Sequence, residues 1–280
     1  MHRLLVPSEQ LALDSPALPK EAANHLKVLR PKDGEEIELF DGCGQWRRFS
    51  VEGGGKNFRL GALSPVCAAP RALRSLTLFA CVTKGSRWDW TIEKATELGV
   101  TRIVPVVSAR TIVRIGADER EAKRARWIRI AEDAARQSDA KWIPEIHEPV
   151  SFAESFPLVR ETTCFVGALT NPPPRPLLKA LIDLQQAAGD APTPHSLGTR
   201  FARRVCFPMG RKPPQGAVTF PDSLSIYVGP EGDFSPEELA ALIEIAMPVS
   251  FGSTILRAET AAIYGVSVLK SFLDAAYSTP

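Results

Sequence analysis

The sequence predicts an α/β protein in which a small β-rich domain precedes a larger domain with a mostly parallel sheet. Beyond about residue 74, apolar runs alternate with helical patterns, which is typical of a parallel sheet flanked by helices. Before that point, short β-like runs alternate with glycine-bearing turns. The length of 280 residues suits one or two domains. We therefore expect domains at 1–70 and 71–280.

The β-rich domain is predicted from two strand patterns and one helix. EEIELF (35–40) and WRRFSVE (46–52) have the composition of strands. A helix is expected over 20–29, where the following Pro31 would end it. The Pro/Ala/Arg-rich stretch 64–75 is interpreted as a linker.

The larger domain is predicted to alternate strands with helices, interrupted by a polar, basic insertion at about 185–222 to which we assign no secondary structure. Strands are expected in SLTLFACV, TRIVPVV, TTCFVGAL, LSIYVG and PVSFG, and helices in RWDWTIEKATELGV and at 118–137, 235–246 and 258–277.

Composition excludes several classes of protein. No apolar run approaches a membrane span and the N-terminus lacks a signal-peptide pattern, so we expect a cytoplasmic protein without a membrane partner. The five cysteines and four histidines are dispersed, which predicts reduced thiols and no metal site. Neither a dinucleotide-binding glycine motif, a P-loop nor a nucleophile elbow is present. Residues 71–129 hold 13 Lys/Arg against 6 Asp/Glu, whereas 222–280 hold 2 against 8, so the first region could face an anion and the last a cation.

Two loops near the C-terminus are the strongest candidates for an active site: GPEGDFSPEE (229–238) and FGSTILRAETA (251–261). Each follows a predicted strand, and ligands of open α/β sheets bind at the carboxyl ends of strands. An ordinary capped strand-to-helix turn is the alternative for the first loop, but it does not explain Glu231 between the glycines. In the second loop, Arg257 is either a salt-bridge partner or a guanidinium aimed at a developing negative oxygen.

A basic region with interleaved aromatics indicates a possible nucleic-acid contact, because cations hold phosphates while aromatic rings stack on bases. The alternative is a tryptophan pair in the core beside a solvated charged face, and we favour this alternative for Trp90. The region comprises Lys84, Arg87, Trp88, Trp90 and Lys94, followed by Arg110 and Arg114.

Taken together, several motifs resemble the ribosomal RNA small-subunit methyltransferase E family of the SPOUT superfamily. Each is weak alone, but they occur in the expected order over nearly the whole chain apart from 185–222. They are NHLKVLR (24–30), IELFDGCG, KATELGVTRIVPVVSAR (94–110), RWIRIAEDAARQS (126–138) with IPEI, YVGPEGDFS and ILRAETA.

The resemblance implies a PUA-like RNA-binding β-barrel at 1–70 and a SPOUT α/β domain with a deep trefoil knot at 71–280. It implies a homodimer that uses S-adenosylmethionine to methylate N3 of one uridine in 16S rRNA, with 16S rRNA or the small ribosomal subunit as its partner. An acid-rich C-terminal third suits this cofactor, which is a sulfonium cation.

Uridine N3 carries a proton, so methylation needs a base or a group that stabilises the enolate. We assign the stabilising role to Arg257 and leave Glu231 or Glu259 as the base. The expected cofactor contacts are Leu169, Gly229, Pro230, Glu231, Gly232, Phe251, Gly252, Ile255, Leu256, Arg257, Thr260 and Ala261, and the expected RNA contacts are His25, Arg30, Lys84, Arg87, Lys94 and Arg110.

The chain departs from the family pattern at two places. Asp233 stands where the family usually has glycine, which adds a carboxylate and disfavours a positive φ. Ala140 stands where the family typically has arginine, and the adjacent Lys141 is a possible substitute. Two alternatives stay open: a catalytically silent RNA-binding or ribosome-assembly factor with the same fold, and a methyltransferase with a different RNA target.

Overall fold

A computed structural model describes residues 1–54, 57–71, 74–159, 162–189 and 223–275. The chain divides into two compact units. Unit 1 contains Met1–Ala72 together with Ile128–Pro144, and unit 2 contains Leu73–Trp127 together with Glu145–Pro280.

Unit 1 is built on a five-stranded sheet in the order β1-β2-β3-β4, with β5 pairing to β3. The first pair is parallel and the other pairs are antiparallel. Its core is formed by aliphatic side chains and Phe49 from the strands, with Leu11 and Leu26 from the helices. The elements are β1 (His2–Leu5), α1 (Ser8–Leu11), α2 (Lys20–Leu29), β2 (Glu36–Phe40), β3 (Gln45–Gly54), β4 (Asn57–Ala62) and β5 (Cys67–Ala68).

The helix predicted at 20–29 is confirmed by α2. The next residue, Arg30, has a left-handed conformation and is followed by Pro31. The two predicted strands are confirmed by β2 and β3. The predicted linker 64–75 differs from the structure, because its residues Cys67–Ala68 pair with β3 as a short strand and its end begins the first strand of unit 2.

Unit 2 contains a seven-stranded sheet in the order β12-β10-β11-β6-β7-β8, with β9 also pairing to β7. Every pair in this sheet is parallel. The strands are β6 (Ser75–Cys81), β7 (Arg102–Val107), β8 (Glu145–Ile146), β9 (Val150–Ser151), β10 (Thr163–Gly167), β11 (Ser223–Val228) and β12 (Met247–Val249). The helices are α3 (Ser86–Glu97), α4 (Arg120–Gln137), α5 (Phe152–Ser155), α6 (Leu177–Gly189), α7 (Pro236–Ile243) and α8 (Ala258–Ala275), of which α4 belongs to unit 1 from Ile128 onward.

Helices cover the sheet of unit 2, which explains why its central strands are almost continuously apolar. Helix α8 packs on β6, β11 and α3. Side chains of α5 and α7 join a cluster centred on Phe79 and Tyr227, whose rings stack with centroids 4.4 Å apart. The Tyr227 hydroxyl is satisfied inside this core, since it donates to Ser155 Oγ at 2.9 Å.

The alternation predicted for the larger domain is confirmed, although the sequence did not predict helix α6 or the short elements β8, β9 and α5. Helix α7 stops at Ile243 rather than 246. Helix α6 continues to Gly189, into the start of the predicted insertion, and positions 190–222 lie outside the described residues. The prediction that Trp90 is a core residue is wrong: its exposed fraction is 40%, and the buried tryptophan pair is Trp88 with Trp127. No helix in the described part of the chain is long and apolar enough to cross a membrane.

The segment Ile128–Pro144 belongs to unit 1 through buried polar contacts. The Arg3 guanidinium donates to the carbonyl oxygens of Ala135 and Ala140 at 2.8 and 3.0 Å. The Glu38 carboxylate, 2% exposed, accepts from Arg3 Nε at 2.7 Å and from Lys141 Nζ at 2.5 Å. Except for Arg3–Glu38, these contacts join positions more than a hundred residues apart, which sequence patterns do not reveal.

Candidate functional site

Three loops of unit 2 enclose a cavity of about 440 Å³, which we call the three-loop cavity. Its loops follow β10, β11 and β12, which are neighbours in the sheet. Because all three strands are parallel, their carboxyl ends meet at one edge, where open α/β sheets bind ligands. The lining comes from positions 167–173, 228–233 and 250–261.

Both loops predicted from the sequence border this cavity. Gly232, Arg257 and Thr260 are not part of its lining. The other residues predicted to contact the cofactor do line it: Leu169, Gly229, Pro230, Glu231, Phe251, Gly252, Ile255, Leu256 and Ala261.

The third loop was missed by sequence reasoning except for Leu169. Its signal was present, because TTCFVGAL is a strand followed by a glycine, the same pattern that identified the other two loops. Gly167 allows close packing: a Cβ there would lie 2.5 Å from Phe251 Cε2. The remaining lining residues that the sequence did not single out are Gly167, Ala168, Thr170, Asn171, Pro173, Val228, Ser250, Ser253, Thr254 and Ala258.

Asp233 lines the cavity. Its φ of 59° is in the left-handed region, which we expected to be unfavourable for an aspartate. Its carboxylate explains how this is tolerated, because Oδ1 accepts from the Phe234 amide at 2.8 Å. The second oxygen accepts from the Leu169 amide at 3.3 Å. Asp233 therefore connects the loop after β11 to the loop after β10.

Arg87, in the first turn of α3, faces two carboxylates of the site. Its Nη1 lies 3.2 Å from Glu231 Oε1, and its Nε lies 3.9 Å from Glu259 Oε1. The Glu259 side chain is only 12% exposed, and its Oε2 has no hydrogen-bond partner. The two glutamates that the sequence proposed as bases are thus brought to the same cation.

Arg110 stabilises the loop after β11. Its Nη1 donates to the carbonyl oxygen of Gly232 at 2.8 Å and approaches that of Phe234 at 3.4 Å. A capping box begins the helix that follows, because Ser235 and Glu238 exchange hydrogen bonds at the start of α7. Arg110 was predicted to contact RNA, and in this structure it supports the cavity wall.

The remaining predicted cations of unit 2 differ in whether they already form ion pairs within the protein. The side chains of Lys84 and Arg257 are exposed, and among the described residues neither forms an ion pair. Lys94 is held by Glu93 and Glu97, each at 2.8 Å, and these hydrogen bonds raise its pKa. Lys84 and Arg257 are therefore available to a substrate.

Two predicted RNA contacts belong to unit 1. Arg30 is exposed at the end of α2. Burial and, secondarily, the Arg136 charge lower the pKa of His25, which favours the neutral imidazole. Lys141 does not replace the missing family arginine as a free cation, because its ammonium pairs with buried Glu38.

Within the described residues, no group of His, Cys, Asp and Glu is arranged to hold a metal ion. The three-loop cavity instead offers backbone groups, short polar side chains and apolar walls. Such a lining suits an organic ligand with both apolar and polar parts.

Comparison with known proteins matches two family models to this chain. The RNA methyltransferase domain covers residues 70–189 and 200–270, together more than half of the chain. The RNA methyltransferase PUA domain covers residues 18–59.

Individual relatives agree with these models. The ribosomal RNA small subunit methyltransferase E of Synechocystis sp. is 27% identical over 98% of this chain and 78% of its own length. The enzyme of the same name from Neisseria gonorrhoeae, solved bound to S-adenosyl methionine, is 25% identical, with a TM-score of 0.72 and 97% of each chain covered. A methyltransferase structure from Legionella pneumophila with the same bound cofactor is 26% identical, with a TM-score of 0.70 and coverage of 98% and 97%. The resemblance drawn from the motifs is confirmed, and the chain belongs to the RNA methyltransferase family.

Proposed function

We propose that this protein transfers the methyl group of S-adenosylmethionine to N3 of a uridine in 16S rRNA. The observation that carries the proposal is the three-loop cavity, whose lining among the described residues includes two carboxylates, Glu231 and Asp233, and no Lys, Arg or His. A lining of this charge fits a sulfonium cation. Two similar structures are described as bound to this cofactor, which supports the same choice.

When bound, S-adenosylmethionine supplies an electrophilic methyl group on a positively charged sulfur. In this proposal the cavity residues Gly229, Gly252 and Leu256 hold it, and Asp233 and Glu231 supply negative charge. The apolar side chains of Phe251 and Ile255 contribute to the wall that excludes water.

Arg257 stabilises the reacting uracil in our proposal. It lies between two residues that line the cavity, Leu256 and Ala258, yet its own side chain is exposed. A base entering from solvent can therefore meet the guanidinium without displacing an existing ion pair. Negative charge develops on the uracil oxygens as N3 loses its proton, and a planar cation that donates to them lowers this cost.

The proton at N3 goes to Glu231 or Glu259 in this proposal. Glu231 lines the cavity, whereas the unpartnered Oε2 of Glu259 can accept a hydrogen bond without losing one. Arg87 contacts both carboxylates and so orients them. Glu231→Gln and Glu259→Gln distinguish the two, because only the variant at the base should lose methyl transfer throughout the pH profile.

Lys84 and Arg30 are proposed as the main phosphate contacts, since both are exposed. Arg87, Arg110, Lys94 and His25 remain proposed RNA contacts. RNA would have to compete for the three basic side chains with their present partners. Homodimer formation and the trefoil knot also remain predictions from the resemblance. Sedimentation equilibrium of the full chain tests the dimer.

Arg257 provides the first test. Arg257→Ala should abolish methyl transfer while calorimetric affinity for S-adenosylmethionine stays within about threefold of the unmodified chain. Arg257→Lys keeps the charge but not the planar fork and should recover only part of the rate. Loss of cofactor affinity together with activity would contradict the stabilising role. No cofactor binding by the unmodified chain would overturn the proposed function.

The target nucleotide is tested separately. Small-subunit rRNA from a strain lacking this protein should lack a single N3-methyluridine, detected by mass spectrometry of nuclease fragments. Returning the gene should restore it, and returning the Arg257→Ala variant should not. A missing ribose methyl group or a modification of another base would contradict the assignment to uridine N3.

A further inference from the structure

Asp233 supplies the one carboxylate of the three-loop cavity that no cation opposes among the described residues. The other carboxylate in the lining, Glu231, lies 3.2 Å from the Arg87 guanidinium. Within the part of the chain that the structure describes, the Asp233 oxygens accept only from two backbone amides, those of Leu169 and Phe234. Its negative charge therefore acts on whatever occupies the cavity.

The backbone indicates that this side chain is retained at a cost. Asp233 has φ of 59°, a conformation in which a residue with a side chain is disfavoured relative to glycine. The neighbouring Gly229 leaves room for the carboxylate, since a Cβ there would lie 3.1 Å from Asp233 Oδ1, a tight contact that would require the carboxylate to shift. A glycine at 233 would satisfy the turn without strain, but it would provide neither the charge nor the hydrogen bond to Leu169.

We infer that Asp233 makes the cavity discriminate between S-adenosylmethionine and the product S-adenosylhomocysteine by charge, and that it does so from a position fixed by its hydrogen bond to the Leu169 amide. The inference rests on the proposed function. During transfer the bond between methyl carbon and sulfur breaks, its electron pair stays on sulfur, and the methyl carbon bonds to N3 as the N3 proton leaves to the base. The sulfur is cationic before this step and neutral after it.

The two ligands share the adenosine, the amino group and the carboxylate of the amino-acid part, so those groups largely cancel when their affinities are compared. The difference is the methyl group with its positive charge on sulfur. A carboxylate lining the same cavity attracts that charge and gains nothing from the thioether. In a partly solvated cavity, a unit charge several Å away changes a binding constant by about three- to tenfold.

The experiment measures the dissociation constants of both ligands by isothermal titration calorimetry with the full chain. Asp233→Asn keeps an oxygen that can accept from Leu169 but removes the charge. It should lower the preference for S-adenosylmethionine over S-adenosylhomocysteine by about three- to tenfold. Asp233→Gly should lower the preference equally and also weaken both ligands, because the link between the loops is lost.

Glu244→Gln is the matched control, since it removes one carboxylate at an exposed position that does not line the cavity. It should leave the preference unchanged. Far-ultraviolet circular dichroism and thermal melting identify any variant that has lost its fold, and Asp233→Asn, the nearly isosteric change, then decides the question.

If the unmodified chain binds both ligands and Asp233→Asn keeps the same preference, Asp233 does not select by charge and the inference is wrong, while the proposed function stands. If the unmodified chain binds neither ligand, the proposed function fails and this inference fails with it. An equal loss in preference for Glu244→Gln would also overturn the inference, because the effect would then come from net charge alone.

Discussion

Replacing Glu38 by glutamine should destabilise unit 1 by about 3 kcal/mol. The carboxylate is 2% exposed and accepts from Arg3 Nε at 2.7 Å and from Lys141 Nζ at 2.5 Å. Glutamine keeps the volume of the side chain and one accepting oxygen. Most of the loss of stability therefore comes from removing the negative charge between the two cations. Asp139 Oδ1 lies 3.1 Å from Arg3 Nε, but it compensates little for the lost Glu38 charge because its side chain is 72% exposed.

A double-mutant cycle of Glu38→Gln with Lys141→Met measures the interaction energy of the Glu38–Lys141 pair. Lys141→Met alone should cost less than Glu38→Gln, because the Arg3–Glu38 pair remains intact. The double variant should cost less than the sum of the two single changes, since Glu38→Gln then no longer leaves the Lys141 ammonium with exposed Asp139 as its remaining partner.

Urea denaturation of the full chain gives the free energies, and amide hydrogen exchange locates the effect. Exchange should accelerate most in 128–144, whose carbonyl groups bind Arg3. A change below about 1 kcal/mol for Glu38→Gln, or unchanged exchange in this segment, would refute the reasoning.

Three further predictions concern single positions. Gly252→Ala should strain the loop after β12, because φ is 118° there, and calorimetry should show severalfold weaker binding of S-adenosylmethionine. The control is Gly34→Ala, which is also at positive φ with open space around it. It should lower the stability by a similar amount but leave binding unchanged. Burial lowers the pKa of His25 in the folded protein, so as the pH falls below 6.5 the unfolded chain binds a proton before the folded chain does. The free energy of unfolding, measured by urea denaturation at a series of pH values, should therefore decrease below pH 6.5. His25→Gln should make this decrease smaller. Burial raises the pKa of the Cys81 thiol to about 12, so in mass spectrometry at pH 8 iodoacetamide should label exposed Cys43 and spare Cys81 unless the protein is unfolded.

The sequence predicted the alternation of unit 2 well because each central strand is buried on both faces and reads as a continuous apolar run. Helix α2 was predictable for a different reason, since Pro31 marks its end. Short elements such as β5 were not predictable: two residues that pair with β3 carry no pattern of their own.

For the candidate site, the sequence identified two loops by their glycines and by Glu231, a residue that turn geometry does not explain. It passed over the loop after β10, because the part of that segment that lines the cavity has one glycine and no charged residue. It also could not assign partners. Arg87 and Arg110 were predicted as RNA contacts from charge alone, whereas the fold places one beside two carboxylates and the other on carbonyl oxygens. Long-range pairing of this kind depends on which strands are neighbours, and periodicity does not encode that.

Two unfavourable local features lie beside the same cavity, and their coincidence favours a working site over a silent fold. Asp233 is held at positive φ, and Glu259, next to the lining residue Ala258, keeps a buried oxygen without a hydrogen-bond partner. Each such feature costs on the order of 1 kcal/mol or more. A protein that used this fold only as a scaffold would lose nothing by relieving them, for example by glycine at 233 or an apolar residue at 259. A bound cation and a substrate proton give the two carboxylates partners, so occupation of the cavity is the condition in which this arrangement is stabilised.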